Sequence, residues 1–263
     1  LGEPSSNVRN HLSRVQVQYD ATAPLFLQSS LHRLKTYRWK HVKSALRALP
    51  KLDLTRTMAQ VHERAFKTDK MRQLFHRFAT YNGSSPYQAP GVLAMIPHLE
   101  HGIGTFLPQK GMGDITDSLV KLAERLGVQF HYNAPVSRIQ HQDGRVGGIE
   151  LQDGTVWQSS TVVSNMDVVP TYRKLMQDWP APEPVLNQER SSSALIFYWG
   201  MKSNFPALGL HNIFFSDDYP GEFRALFEDK MPGSDPTVYV NITSKLAHQE
   251  APEGCENWFV MVN

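Results

Sequence analysis

Two tight chain reversals in close succession restrict the fold of this chain more than any other feature. The segment from His141 to Asn165 reads HQDGRVGGIELQDGTVWQSSTVVSN and contains Asp143-Gly144 and Asp153-Gly154 between runs of β-branched and aromatic residues. An Asp-Gly pair supplies the positive φ angles that a tight hairpin turn needs. We therefore predict an antiparallel three-stranded meander, with strands at 136–140, 146–151 and 155–157.

Periodicity in the sequence predicts helices before the meander, and both strands and helices after it. Apolar residues at spacings of three and four mark helices over 31–49, 57–80 and 114–126. Further strands are predicted at 128–133, 161–163, 193–201, 211–216, 237–243 and 257–263, and short helical segments at 166–176 and 221–229. The predicted fold class is α/β, of the α+β type.

Composition indicates a globular protein with a sizeable core. The chain has 263 residues, of which 41% are hydrophobic and 20% charged, and its single cysteine, Cys255, excludes an internal disulfide framework. No run approaches the roughly 20 apolar residues of a membrane span, and the start, LGEPSSNVRN, does not resemble a signal peptide. We expect a cytoplasmic protein and, because the chain opens without Met, a piece of a longer one.

Charge is distributed unevenly along the chain. Residues 1–80 contain 15 Lys or Arg against five Asp or Glu, whereas the remainder contains 12 against 20. Within 31–51 there are seven basic residues and no acidic one, interleaved with Tyr37 and Trp39. Such a helix could lie on an anionic membrane, bind nucleic acid phosphates or simply face solvent. Because the remainder is acidic, we predict no nucleic acid partner and favour the membrane among the functional alternatives.

Residue chemistry alone identifies no catalytic constellation. The Gly-x-Gly pairs at 102–104 and 111–113 both lack the third glycine of a dinucleotide-binding turn. His98 and His101 lack a third ligand at metal-site spacing, so we interpret their segment as a solvated loop. The serine run at 191–193 lacks the glycines of a nucleophile elbow. These observations give no support to a zinc enzyme or a serine hydrolase.

Four segments together resemble the bacterial phytoene desaturase family of carotenoid-modifying flavoenzymes. In chain order they are FATYNGSSPYQAP, FLPQKGMGDITDSLVKLAERLGVQFHYNAPVSRI, VVSNMDVVPTYRKLM and APEGCENWFV. The stretch from Ser164 to Leu175 is specific to this family, whereas that from Gly127 to Ile139 is shared with the wider amine oxidase-like flavoproteins. The resemblance runs from about residue 74 to the end of the chain, and more loosely before that.

The resemblance implies an internal portion of a multidomain FAD enzyme. Residues 1–100 would form a helical, membrane-facing cap, residues 101–172 the middle of a partial FAD/NAD(P)-binding fold, and residues 173–263 part of a mixed β-sheet substrate domain. The family's Gly-rich flavin motifs are missing, so we expect this chain to hold FAD weakly or not at all. The membrane-facing cap implies a peripheral location at the cytoplasmic membrane.

The resemblance also gives positions for cofactor contacts. The residue that matches Val136 brackets the adenine of FAD with its backbone, and Asn165, Met166 and Asp167 match the segment that returns to the cofactor. Gly111 and Met112 match a turn close to the flavin ring, although Lys110 stands where the family usually has a glycine. No catalytic residue is named.

The implied reaction is desaturation of a long polyene such as phytoene or a derivative. A hydride leaves the substrate for FAD and a proton is lost from the adjacent carbon, in a dry apolar site that needs no strong acid–base pair. The strands ALIFYWGM and NIFFS are candidate tunnel walls. Two alternatives stay open, namely another amine oxidase-like enzyme that acts on an amine or a retinoid, and a non-catalytic binding or scaffold domain.

Overall fold

The computed structural model describes residues 1–30, 33 and 52–262. Their α-helices are α1 Ser5–Phe26, α2 Met58–Ala65, α3 Asp69–His76, α4 Gly113–Arg125, α5 Val168–Pro170, α6 Glu183–Leu186 and α7 Tyr219–Arg224. Their strands are β1 Val136–Gln142, β2 Arg145–Leu151, β3 Val156–Gln158, β4 Leu195–Met201, β5 His211–Phe214, β6 Val238–Asn241 and β7 Glu256–Val262. Short 3-10 helices are Arg77–Asn82, Gly91–Met95, Thr243–Lys245 and His248–Glu250, and π-helical turns are Leu99–Ile103, Thr171–Leu175 and Ala225–Asp229.

The described residues form two compact units. The first consists of Leu1–Ile115 and Ser191–Asn263, and the second of Thr116–Arg190. The chain thus combines helices with antiparallel sheets, in agreement with the predicted α+β type. The division at residues 100 and 172 stays a prediction. No helix of the described ranges is long and apolar enough to cross a bilayer.

The helical part of the first unit is built around an apolar core beneath α2 and α3. Its main members are Met58, Phe66, Phe75 and Phe78, all at most 5% exposed. The prediction of one helical run over 57–80 was wrong, because Phe66 adopts an extended conformation between the two helices. Glu3 stabilises this break, since its carboxylate accepts hydrogen bonds from the backbone N–H groups of residues 67 and 68 at the start of α3.

A buried carboxylate connects α1 to the chain that follows residue 51. Asp53 is 5% exposed and accepts hydrogen bonds from Arg14 at 2.7 Å and from Arg56 at 2.9 Å. Gln18 donates to the same carboxylate at 3.0 Å. A buried charge with this many donors is tolerated because each carboxylate oxygen is satisfied. The predicted helix over 31–49 lies outside the described residues apart from residue 33.

The meander in the second unit has the predicted order β1-β2-β3 and is antiparallel throughout. Asp143 and Gly144 have φ values of +52° and +74°, which confirms the predicted first hairpin turn. In the second reversal only Gly154 is left-handed, with a φ of +85°. The predictions of strands at 128–133 and 161–163 were wrong, because neither segment pairs with a strand in the part of the chain that is described.

The second sheet belongs to the first unit and has the order β4-β7-β6-β5. All three neighbouring pairs are antiparallel, so the expectation of a mixed sheet is not met by these strands. One face packs into a core of Val240, Ile242 and Val260. β4 is the strand at one edge, and its residues from Leu195 to Gly200 are all exposed.

Candidate functional site

The residue predicted to contact adenine, Val136, opens β1 and is half-buried. It lies opposite Leu151 of β2. The hydroxyl of the next residue, Ser137, donates to the carbonyl oxygens of Glu150 at 3.0 Å and Leu151 at 3.2 Å. These hydrogen bonds hold the start of the strand in a fixed conformation. The contact with adenine stays a prediction.

The segment Asn165 to Asp167 forms a turn that leads into α5. The Ser164 hydroxyl oxygen accepts from the Met166 N–H at 3.2 Å, and the Thr171 hydroxyl donates to the Met166 carbonyl oxygen at 3.2 Å. The hydroxyl oxygens of Ser164 and Thr171 are 2.9 Å apart. The side chain of Asn165 is exposed. The turn is therefore closed by its own hydroxyl groups and leaves the Asn165 amide at the surface.

The Asp167 carboxylate stabilises this turn and its connection to Arg190. Its carboxylate accepts a hydrogen bond from the Val169 N–H at 2.9 Å and forms an ion pair with Arg190. The hydrogen bond from Val169, together with the Arg190 guanidinium, lowers the pKa of the Asp167 carboxyl. Asp167 therefore caps α5 as an anion at neutral pH, and a contact with the cofactor stays a prediction.

The fold places the strand of Val136 and the turn of Asn165 in the same compact unit. Thr171–Leu175, which follows the turn, packs against β1. Arg138 of β1 donates to Asp178 at 3.1 Å, and the rings of His141 and Trp179 lie 4.5 Å apart. The meander and the segment after residue 165 thus stabilise each other.

Gly111 and Met112 belong to the first unit. Gly111 has a φ of +80°, and its N–H donates to the Pro108 carbonyl oxygen at 3.0 Å. A Cβ at this position would lie 1.9 Å from Oε1 of Glu250. The positive φ favours glycine here, and a Cβ would displace the Glu250 carboxylate from the hydrogen bonds that it accepts from Thr243 and Asn257. The Met112 side chain is 60% exposed, and the proximity of both residues to flavin stays a prediction.

The interpretation of the His98 segment as a solvated loop was wrong for His98 itself. Its ring is 8% exposed and lies 5.0 Å from that of Tyr19, between ring centres. The absence of a side chain at Gly102 makes room for it, because a Cβ there would lie 2.2 Å from the His98 ring. His98 packs as a core residue, and the described residues contain no group of side chains suited to a metal ion.

One face of the second sheet carries both of the sheet's tyrosines, Tyr198 and Tyr239, and we call it the tyrosine face. Its register follows from the antiparallel pairs, in which opposite residues share a face. The ring centres of Tyr198 and Phe259 are 5.5 Å apart, those of Tyr239 and Phe259 6.5 Å, and those of His211 and Tyr239 6.1 Å. The members of the tyrosine face are Ile196, Tyr198, His211, Ile213, Tyr239, Asn241, Phe259 and Met261.

No strand residue of the tyrosine face is buried, whereas Val240 and Val260 of the opposite face are each 3% exposed. Tyr239, Phe259 and Met261 are half-buried, and Tyr198 is 80% exposed. The candidate tunnel walls inferred from sequence included β4 and β5 but omitted β6 and β7. The alternation in TVYVNIT and NWFVMVN was the available signal, since it places Tyr239 and Phe259 on the face of the sheet that the buried valines do not occupy.

The family follows from a comparison with known proteins. Residues 6–200 match the family model described as flavin containing amine oxidoreductase. The chain belongs to this family. Flavin is therefore the cofactor of the group to which these residues belong, in agreement with the resemblance stated above.

Several curated members of the amine oxidoreductase group are similar to the chain along most of its length. The 1-hydroxycarotenoid 3,4-desaturase of Flavobacterium sp. (strain P99-3) is 49% identical over 261 residues, which are 99% of this chain and 53% of that protein. A 4,4'-diapolycopene oxygenase of Methylomonas sp is 37% identical over 80% of this chain and 43% of its own length. A zeta-carotene-forming phytoene desaturase of Myxococcus xanthus is 33% identical over 99% of this chain and 50% of its own length.

The chain therefore spans about half the length of the curated relatives that it matches. These relatives confirm the carotenoid desaturase type of family that the four sequence segments indicated. Among solved structures, an oxidoreductase from Methanosarcina mazei matches with a TM-score of 0.57 and 16% identity, over 85% of this chain and 51% of that one. This likeness concerns the fold alone.

Two of the predicted cofactor residues present side chains at the surface of the second unit. The exposed Asn165 amide supplies a donor and an acceptor, and the Met166 side chain is 44% exposed and apolar. Contact of either side chain with flavin stays a prediction. When FAD is bound, it supplies the capacity to accept a hydride.

Proposed function

We propose that this chain is the central part of an FAD-dependent carotenoid desaturase. The observation that carries the proposal is the 49% identity to a 1-hydroxycarotenoid 3,4-desaturase over 99% of this chain. The tyrosine face supports it, because a broad apolar and aromatic surface suits a long polyene. In this proposal the helical part of the first unit serves as the cap, and the second unit contributes the middle of the FAD-binding fold.

The residues of this chain would bind and orient the substrate rather than transfer protons. Phe259 and Met261 present an aromatic ring and a flexible thioether at half-buried positions. Such side chains pack against a polyene and exclude water from it. Exclusion of water favours hydride loss to a bound flavin, since the dry site suppresses side reactions.

Product analysis tests this function. The protein encoded by the complete open reading frame that contains these residues is produced, loaded with FAD and incubated with linear carotenoids. The products are separated by chromatography, and their molecular masses are measured by mass spectrometry. We expect products that lack two hydrogen atoms per reaction. A product that has gained an oxygen atom relative to its substrate would instead favour the second candidate, an oxygenase, which the similarity to the Methylomonas protein supports. Turnover of an amine or a retinoid with no change in any carotenoid would refute both.

We propose in addition that residues 31–51, which lie outside the described residues apart from residue 33, contact the cytoplasmic membrane from the cytoplasmic side. The seven basic residues of this segment support electrostatic attraction to anionic lipid. We expect the full-length protein to sediment with anionic liposomes and to be released by salt. Equal recovery with neutral liposomes at every salt concentration would contradict the electrostatic attraction.

A further proposal concerns the strength of flavin binding by these residues alone. The chain lacks a Gly-x-Gly-x-x-Gly turn, which supplies most pyrophosphate contacts in dinucleotide-binding folds. We expect the 263-residue polypeptide to lose FAD during gel filtration, whereas the complete protein retains it. Retention of a stoichiometric flavin absorbance by the shorter polypeptide would contradict this expectation.

A further inference from the structure

Polar side chains gather at one end of the tyrosine face, where β5 pairs with β6. Nδ1 of His211 lies 2.8 Å from the Tyr239 hydroxyl oxygen and 3.2 Å from Nδ2 of Asn241. Nδ2 of Asn241 also donates to the Leu210 carbonyl oxygen at 3.0 Å. We call His211, Tyr239 and Asn241 the polar triad. It adjoins the apolar part of the face, since Tyr239 pairs with Met261 and Asn241 with Phe259.

The hydrogen bonds of the polar triad determine where its protons lie. A carbonyl oxygen only accepts, so the contact with Leu210 fixes which end of the Asn241 amide is the NH₂ group. The same NH₂ group faces Nδ1 of His211 at 3.2 Å, so Nδ1 carries no proton and the proton of a neutral His211 is on Nε2. The single lone pair of Nδ1 accepts the Tyr239 O–H, which is the closer donor at 2.8 Å. The Asn241 side chain in turn donates to the Tyr239 oxygen.

This arrangement leaves one donor and one acceptor for a ligand. The donor is the Nε2–H of His211, a residue that is exposed, and the acceptor is the lone pair of the Tyr239 oxygen that Asn241 does not use. An alcohol both donates and accepts one hydrogen bond with comparable ease. A carboxylate only accepts and an ammonium group only donates, so each would leave one of these two protein groups without a partner.

The charged groups near Tyr239 also favour a neutral ligand. Burial raises the pKa of the Tyr239 phenol, and of the two nearby charges Arg77 lowers it while Glu100 raises it. Arg77 and Glu100 lie in the helical part of the same compact unit, and they carry opposite charges. The triad therefore faces no uncompensated charge that would attract an ion.

We propose that the polar triad binds the hydroxyl end group of a linear polyene, and that the adjoining apolar part of the tyrosine face carries the chain of that polyene. The proposal rests on the desaturase function proposed above and specifies its substrate class as a hydroxylated carotenoid. From β5 to β4 the face is three strand spacings wide, or about 14 Å. It therefore accommodates the end of a carotenoid, and the remainder extends beyond these strands.

The test compares two linear polyenes that differ only in a terminal hydroxyl group. The variant is Tyr239→Phe in the complete flavin-loaded protein, because it removes the acceptor and retains the ring. The matched control is Tyr132→Phe, which removes an exposed phenol from the second unit. A second variant, His211→Phe, removes the donor at an exposed position and serves if Tyr239→Phe does not fold.

We expect the native protein to prefer the hydroxylated polyene, both in kcat/KM and in affinity measured by quenching of tryptophan fluorescence. Loss of one hydrogen bond at the triad should reduce this preference about five- to tenfold, mainly through KM. Conversion of the polyene without the hydroxyl should fall less in the variants than conversion of the hydroxylated polyene, and Tyr132→Phe should retain the native preference.

Two outcomes would overturn the inference. The first is a native protein that binds both polyenes with equal affinity, even if it desaturates both. The second is an equal decrease for both polyenes in Tyr239→Phe and in His211→Phe, which would indicate that the triad only joins β5 to β6. Preferential binding of the hydroxylated polyene without any conversion would instead refute the desaturase function and support the binding site.

Discussion

Three buried histidines in the helical core should make this protein sensitive to acid. The ring centres of His11 and His62 are 5.3 Å apart, and those of His62 and His76 5.2 Å. All three residues are at most 5% exposed, and neither ring nitrogen of His11 or His62 has a hydrogen-bond partner among the described residues. Protonation of the His11 or the His62 ring would bury a positive charge without a hydrogen-bond partner, whereas the His76 ring has one in the backbone of Ala59.

The magnitude follows from the pKa values. Burial lowers the pKa of His11 to about 4 and that of His76 to about 4, whereas an unfolded histidine titrates near 6.5. The unfolded chain therefore binds more protons, and stability is lost as the pH falls from about 6.5 to about 4. Between pH 7 and pH 5 each of these two histidines should lower the free energy of unfolding by about 2 kcal/mol.

The assay is urea unfolding of the complete protein at pH 7, 6 and 5, followed by tryptophan fluorescence. His11→Leu should lose about 2 kcal/mol less between pH 7 and pH 5 than the native protein does. The comparison across pH cancels any packing defect of leucine, because that defect is present at both pH values. His131→Leu is the control, since His131 is exposed and lies in the other compact unit. Parallel pH dependence of the native protein and His11→Leu would refute the reasoning.

Two further predictions concern stability. Asp53→Asn should lower the free energy of unfolding by about 2 kcal/mol, because it removes the buried charge that accepts hydrogen bonds from Arg14 and Arg56. The two arginines stay solvated, since their side chains are 47% and 35% exposed. Asp69→Asn, at a side chain that is 95% exposed, should cost less than about 1 kcal/mol, and similar losses in both urea titrations would contradict this expectation. Gly111→Ala should lower the thermal midpoint more than Gly144→Ala, because both glycines have positive φ but only Gly111 has Glu250 in the way of a Cβ. Equal thermal midpoints of the two variants in calorimetry would contradict a steric contribution of Glu250.

The sequence was sufficient to predict elements whose buried positions are apolar. The meander and the four strands of the second sheet were predicted because β-branched and aromatic residues mark them. Helix α1 was missed for the opposite reason. Its positions 11, 15, 18 and 22 are buried at helical spacing, but three of them are polar, namely His11, Gln18 and Thr22. A periodicity of burial was present there without a periodicity of hydrophobicity.

Strand pairing was the second limit of the sequence. Val128, Phe130 and Tyr132 alternate as in a strand, yet all three are exposed. The candidate cofactor residues came from resemblance and not from local chemistry, since neither Gly111 nor Asn165 carries a distinctive side chain. The polar triad required the register of β5 on β6, which brings together residues that are about 30 positions apart.

The exposed edge of the second sheet has a consequence for the production of this polypeptide. From Leu195 to Met201 the chain reads LIFYWGM, without a charge or a proline to interrupt it. An open, uncharged strand of this composition recruits identical strands from neighbouring molecules during refolding. Bacterial expression of residues 1–263 alone should therefore place a large share of the polypeptide in inclusion bodies, and Ile196→Lys should increase the soluble share.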